Sequence, residues 1–260
     1  MKPLLPSIGI TAFAAATSLI LSNPAQAFSF VPQEQGEIET TNLGCLPGVS
    51  CISGADIVDY FGKYAYSVES LVDSTTGHTS RLFVDYFGDG DAKTTYTPTN
   101  GSAKIVFDKK DAGTNPEGFW FRPVETSVNN KGIETREESG QLEVGTFKFT
   151  FAKTLSELTI AYFDTESKGT TGVLATDGNL FSGSNLVPSG ANNNLYYQTW
   201  KDVNYITLKL GQDTAKGTGD GVDFQIDTKA VPEPGSMVGV VLVGLASGFG
   251  ALRNKLRQAA

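Results

Sequence analysis

Residues 146–151, Thr-Phe-Lys-Phe-Thr-Phe, alternate strictly between polar and apolar side chains. A period of two places all three phenylalanines on one face of an extended strand, a spacing that fits no helix face. The run therefore demands a strand with one buried side. Ser80–Phe87, Ala103–Asp108, Gly118–Val124, Glu157–Phe163, Tyr205–Leu210 and Val222–Ile226 are also short and rich in aromatic and β-branched residues. Turn formers such as Asp89-Gly90-Asp91, Asp177-Gly178-Asn179 and Ser189–Asn194 separate them. This pattern predicts an all-β fold over residues 65–230, an antiparallel β-sandwich of jelly-roll-like kind. Residues 28–64 read as an irregular arm carrying Cys45, Cys51 and one short helix, Ala55–Tyr64.

The two ends of the chain read as addresses rather than as fold. Lys2 precedes a mostly apolar stretch, Ile8–Leu21, and Ala25-Gln26-Ala27 is a small-residue cleavage site. That is the pattern of a secretory signal peptide, residues 1–27, with cleavage expected before Phe28. At the other end, Val231-Pro232-Glu233-Pro234 leads into an uncharged apolar run, Met237–Leu252, followed by Arg253, Lys255 and Arg257. The run lies at the short limit of a membrane-spanning helix, which needs roughly 17–25 residues. The basic cluster after it places the tail's end in the cytoplasm and everything before it outside. Pro232 and Pro234 prevent a helix from running back into the body.

The tail resembles the PEP-CTERM signal, on the residues Pro232-Glu233-Pro234, the apolar run, and Arg253, Lys255 and Arg257. The resemblance covers residues 231–260. It implies an exported protein, held transiently in the inner membrane by the apolar segment and then processed near the motif by exosortase. It also implies a final place at the cell surface or in the exopolysaccharide matrix. A simple C-terminal membrane anchor is the alternative reading. Leu142-Glu143-Val144-Gly145 adds a resemblance to the LEVG family of PEP-CTERM proteins, which implies no biochemical activity. Gly145 at the mouth of the alternating strand suggests a bulge or a sharp bend, and Glu143 a surface position.

Composition bounds what the body can do. The whole chain has 20 basic and 28 acidic residues, a net charge of −8. Without the leader's one lysine and the tail's three basic residues and Glu233, 16 basic and 27 acidic residues remain. So acidic a body is unsuited to nucleic acid, which is bound by neutralising phosphates. Cys45 and Cys51 are the only cysteines, and in an oxidising compartment they are expected to form a small-loop disulfide. His78 is the only histidine, in a loop by composition, and no nucleophile elbow, phosphate loop or zinc-binding helix motif is present. The expectation is a non-catalytic protein with no obligatory cofactor.

Three further possibilities rest on particular residues. Asp85, Asp89 and Asp91, and separately Asp220 and Asp223, sit in glycine-containing acidic turns that suit a structural calcium ion, although plain turn chemistry accounts for them equally. Trp120 and Trp200 are candidate platforms for a carbohydrate-binding module. In Phe119-Trp120-Phe121, alternate side chains point oppositely, so either Trp120 faces outward or the two phenylalanines do. A glycoside hydrolase needs only two suitably spaced carboxylates, and the sequence singles out no pair.

Overall fold

The computed structural model describes residues 27–74, 77–88, 94–99, 104–107, 116–128, 134–135, 144–191, 193–212 and 221–229. The leader with Ala25, the sorting motif Val231–Pro234, the cluster Arg253, Lys255 and Arg257, and Asp89, Asp91, Asp220, Leu142 and Glu143 lie outside the described residues.

The strictly alternating run lies in the longest strand, and the others assemble around it. The N-terminal segment carries β1 (Ala27–Ser29), β2 (Gly36–Ile38) and β3 (Cys51–Ile52), then helix α1 (Gly54–Phe61). The first half of the body holds β4 (Tyr66–Leu71), β5 (Ser80–Phe87), β6 (Thr94–Tyr96), β7 (Ile105–Phe107) and β8 (Gly118–Glu125). Two short strands, β9 (Ser127–Val128) and β10 (Glu134–Thr135), pair with each other. There follow β11 (Gly145–Leu155), β12 (Leu158–Phe163), β13 (Gly172–Thr176) and β14 (Asn179–Ser182). The chain continues through β15 (Leu195–Lys201), β16 (Val203–Leu210) and β17 (Asp223–Lys229).

Two sheets form a sandwich-like body. The larger runs β14-β15-β12-β17-β8-β5-β2-β3, with β1 added to β17, and the smaller runs β13-β16-β11-β4. Among the described strands the pairings are antiparallel except that of β2 with β3. Phe147, Phe149 and Phe151 of β11 point into the space between the sheets, as the alternation requires, and there Phe149 meets Phe121 and Phe224 from the larger sheet. Phe121 lies 5.0 Å from Phe224 and 5.8 Å from Phe149. Each such ring contributes about 1.5–3 kcal/mol by leaving water.

Two tight corners carry the chain from sheet to sheet. β11 pairs with β16 through Leu155 and Val203, while three residues later β12 pairs with β15 through Leu158 and Trp200. Both crossings are made within one or two residues, at Ser156-Glu157 and at Asp202. Asp202 takes a left-handed φ of 57° and its N–H reaches Ser156 O at 3.4 Å. Aspartate is among the few residues that enter this region readily.

The arm is more ordered than its composition suggests. β1 pairs with β17 and β2 with β5, so residues 27–38 are woven into the larger sheet. The helix starts behind a Ser53–Asp56 capping box and stops at Phe61, short of the expected Tyr64. Gly62, at φ 53°, breaks it and a short 3₁₀ turn, Gly62–Tyr64, follows.

Gly145 is neither a bulge nor a bend. It pairs in regular register with Leu210, and the register shift in β11 lies further on, between Thr150 and Leu155. A Cβ on Gly145 would stand 2.6 Å from Phe147 Cε2 and 2.8 Å from Ser80 Cβ. The glycine is needed for close approach of β11 to β5. Its neighbour Val144 is fully buried.

Candidate functional site

The outward face of the larger sheet carries a second, smaller core. On β5, Leu82 and Val84 face the main core, so Arg81, Phe83 and Asp85 point the other way. The β6–β7 hairpin covers Phe83 and Val124 with Tyr96, Ile105 and Phe107, and Leu46 of the disulfide loop joins them. Phe83 lies 4.8 Å from Tyr96. Tyr96 is thus a packed strand residue. Its hydroxyl donates to Val84 O at 3.1 Å, and burial raises its pKa well above the usual tyrosine value.

Under this cover the buried charges are paired. Arg122 Nη1 lies 3.2 Å from Asp85 Oδ2, and Arg122 Nε lies 3.2 Å from Asp223 Oδ1. Its guanidinium also stacks over Phe107, 4.3 Å from the ring centre. Gln35 Nε2 donates to Asp85 Oδ1 at 2.7 Å. The two aspartates expected in separate calcium turns therefore meet at one arginine. A buried carboxylate needs a counter-charge, and here a protein cation supplies it. Among the described residues no cluster of three or more metal-ligating side chains occurs.

A second buried pair anchors the arm. Arg81 Nη1 bonds Glu37 Oε1 at 2.5 Å and Gly44 O at 3.0 Å, and Leu46 N–H donates to Glu37 Oε2 at 2.7 Å. The Cys45–Cys51 disulfide is formed and closes the loop that these bonds hold against the sheet.

Neither tryptophan is a platform. Trp120 faces away from Phe121, so the alternation holds, yet it is only 2 % exposed. Its Nε1 donates to Pro116 O at 3.0 Å and its ring meets Phe163 edge-on. Trp200 is 4 % exposed and packs in the main core. Both readings of an exposed, sugar-stacking ring are corrected by the same cause, burial of both faces of the sheet here. His78 is half-exposed, and its Nδ1 lies 3.0 Å from Glu125 Oε1.

The structure offers instead a cleft of about 310 Å³ between the arm, the start of α1 and β4. Ile38, Ile57 and Val68, all buried, supply its apolar lining. Glu39, Thr40 and Ser67 supply polar groups. Segment 40–42 reaches the cleft because it docks on the open edge of β4. Thr41 N–H donates to Val68 O at 2.8 Å, and the Asn42 side chain bonds both Ser70 N–H and Ser70 O. Gly54 N–H donates to Glu39 Oε2 at 3.1 Å, which orients that carboxylate. Thr40 Oγ1 is buried and has no hydrogen-bond partner. Nothing local in the sequence marks Thr40 or Glu39, since β2, β4 and α1 bring them together.

No family model matches the chain, and neither a curated protein nor a solved structure matches it.

Proposed function

We propose that the chain is an exported, non-catalytic protein of the cell surface or exopolysaccharide matrix, delivered by residues 1–27 and sorted by exosortase through residues 231–260. The observation that carries this reading is the succession of features in the tail's sequence: Val231-Pro232-Glu233-Pro234, the uncharged run Met237–Leu252, then Arg253, Lys255 and Arg257. The Cys45–Cys51 disulfide supports an oxidising destination. The pairing of Glu37, Asp85 and Asp223 with buried arginines suits packing better than proton transfer. A jelly-roll-like arrangement belongs to the same proposal. It is supported by strands β11 to β17, which alternate between the two sheets apart from the adjacent pair β14 and β15.

Intact-mass and fractionation analysis of the native protein tests the reading. The mature species is expected to begin near Phe28, to lack residues 237–260 and to leave the inner membrane. Substituting Pro232 and Pro234 should trap the unprocessed form there. A mature wild-type species that still carries residues 237–260 in the inner membrane would overturn the proposal in favour of a simple anchor.

A further inference from the structure

Ile38, Ile57 and Val68 of the cleft beside β4 are buried in the main core, whereas two rings at the edge of the larger sheet stand in solvent. Phe181 of β14 is 62 % exposed and Tyr197 of β15 is 53 % exposed. Both belong to the sheet's outward face. Gln198 and Trp200 of β15 are buried, so Tyr197, Thr199 and Lys201 point the other way. Phe181 is the extra residue of a bulge between Leu180, opposite Trp200, and Ser182, opposite Thr199. Its ring lies on the outward side, with Lys201 Nζ 3.7 Å from the ring centre. Strand spacing puts Phe181 and Tyr197 about 10 Å apart. β15 is three strands from β8, away from the part of the face that the β6–β7 hairpin covers.

The groups around these rings narrow the ligand. Among the described residues no carboxylate lies within 4.0 Å of Lys201, whose ammonium sits over Phe181 instead. Lys229, on the same face, is taken up by Glu157 at 2.6 Å, which leaves Lys201 as the cation open to a ligand. Asp227 lies two strands from β15 and is occupied by Ser29. Between the rings, Thr199 stands opposite Thr159 of β12, their hydroxyl oxygens 3.2 Å apart. The negative face of an aromatic ring attracts polarised C–H groups, and a free ammonium attracts a carboxylate. A sugar chain bearing acid groups offers flat C–H faces, hydroxyls and carboxylates together. A nucleic acid would meet a single free lysine on an acidic body. A second copy pairing along β14 would have four bulged residues to hold it, far short of a stable interface.

We propose that this shelf binds an acidic polysaccharide, with sugar rings stacked on Phe181 and Tyr197, hydroxyls on Thr199 and Thr159, and a uronate carboxylate on Lys201. This rests on the matrix reading only for where such a polymer is met. It moves the carbohydrate contact from two buried tryptophans to two exposed rings.

The test uses the native protein, with an oligogalacturonate as probe, dextran as a neutral glycan and duplex DNA as a polyanion of another class. Binding is followed by titration calorimetry. The oligogalacturonate should bind, more weakly as salt rises, and dextran and DNA should bind at least about tenfold more weakly. Phe181→Ala and Tyr197→Ala should each weaken binding about fivefold, the worth of one ring contact. Lys201→Gln should weaken it about threefold and remove most of its salt dependence. All three side chains lie at the surface, so each variant should melt close to the native temperature. Absent binding, or equal binding of dextran or DNA, overturns the proposal. So does unchanged affinity in both ring variants or in the lysine variant. Retention in the host's own exopolysaccharide that survives all three variants leaves the matrix reading standing and removes the shelf from it. Oligogalacturonate binding that the variants weaken, in a protein found outside the matrix, does the reverse.

Discussion

Replacing Arg122 by methionine tests the central claim about the buried charges. The methionine keeps apolar contact with Phe107 but removes the cation that sits 3.2 Å from both Asp85 and Asp223. All three side chains are at least nine-tenths buried. Breaking a buried pair by deleting one partner costs about 3–5 kcal/mol, because the remaining charge stays in a poorly solvating site. Here two carboxylates are left, and the Gln35 hydrogen bond to Asp85 offsets part of the cost. A net loss of about 3–5 kcal/mol at pH 7 is therefore expected. For a body of this size that lowers the melting temperature by about 6–20 °C. Urea unfolding monitored by tryptophan fluorescence measures it directly, since Trp120 sits on the same strand. The deficit should shrink when Asp85→Asn and Asp223→Asn are added. A loss below about 1 kcal/mol, the worth of a surface pair, would refute the buried-network account.

Gly145→Ala should destabilise by about 1–3 kcal/mol through overpacking against Ser80 and Phe147, measured by thermal melting. Adding Ser80→Gly should recover part of that loss, and an unchanged melt would remove the close-approach explanation. Replacing Cys45 and Cys51 by serine should cost about 2 kcal/mol, the small end expected of a short closed loop, read as a shifted urea midpoint. Burial holds the Asp227 carboxyl above the usual carboxylate range, and a hydrogen bond from Ser29 opposes this without cancelling it. Its contribution to stability is therefore complete below the unfolded pKa and is lost as pH rises through the raised folded value. Asp227→Asn should raise the melting temperature at pH 7 and flatten its dependence on pH just above the carboxylate range. A lower melting temperature at pH 7 would contradict that sign.

Much of the sheet was legible because its strands alternate. Ser80–Phe87 has the predicted bounds, and the Thr146–Phe151 run lies within β11. β4 and β15 escaped the pattern because polar residues point inward on them. Gln198 of β15 is fully buried, its Oε1 accepting from the Tyr162 hydroxyl at 2.6 Å, and Ser70 of β4 donates to Ser80 O at 2.6 Å. An inward glutamine or serine reads as a turn or an exposed position until its partner is visible. The partner of Asp85 lies 37 residues away and that of Asp223 101 residues away. No local motif reports such a pairing, so acidic turns looked like cation sites. Alternation fixed only that Trp120 and its two phenylalanine neighbours face opposite ways; that Trp120 is buried too, against Phe163 and Pro116, is a matter of tertiary packing.

The pairing of β1 with β17 has a topological consequence. Ala27 stands opposite Lys229, and Phe28 opposite Thr228, so the body's first and last strands enter and leave side by side, within about 5.5 Å in an antiparallel pair. A short linker from residue 229 to residue 27 would close the body into a ring, and new ends could be cut in the loop that precedes β15. Such a circular permutant should rebuild both sheets with every strand in its original place. The order in which this chain visits its strands is then separable from the arrangement that holds them.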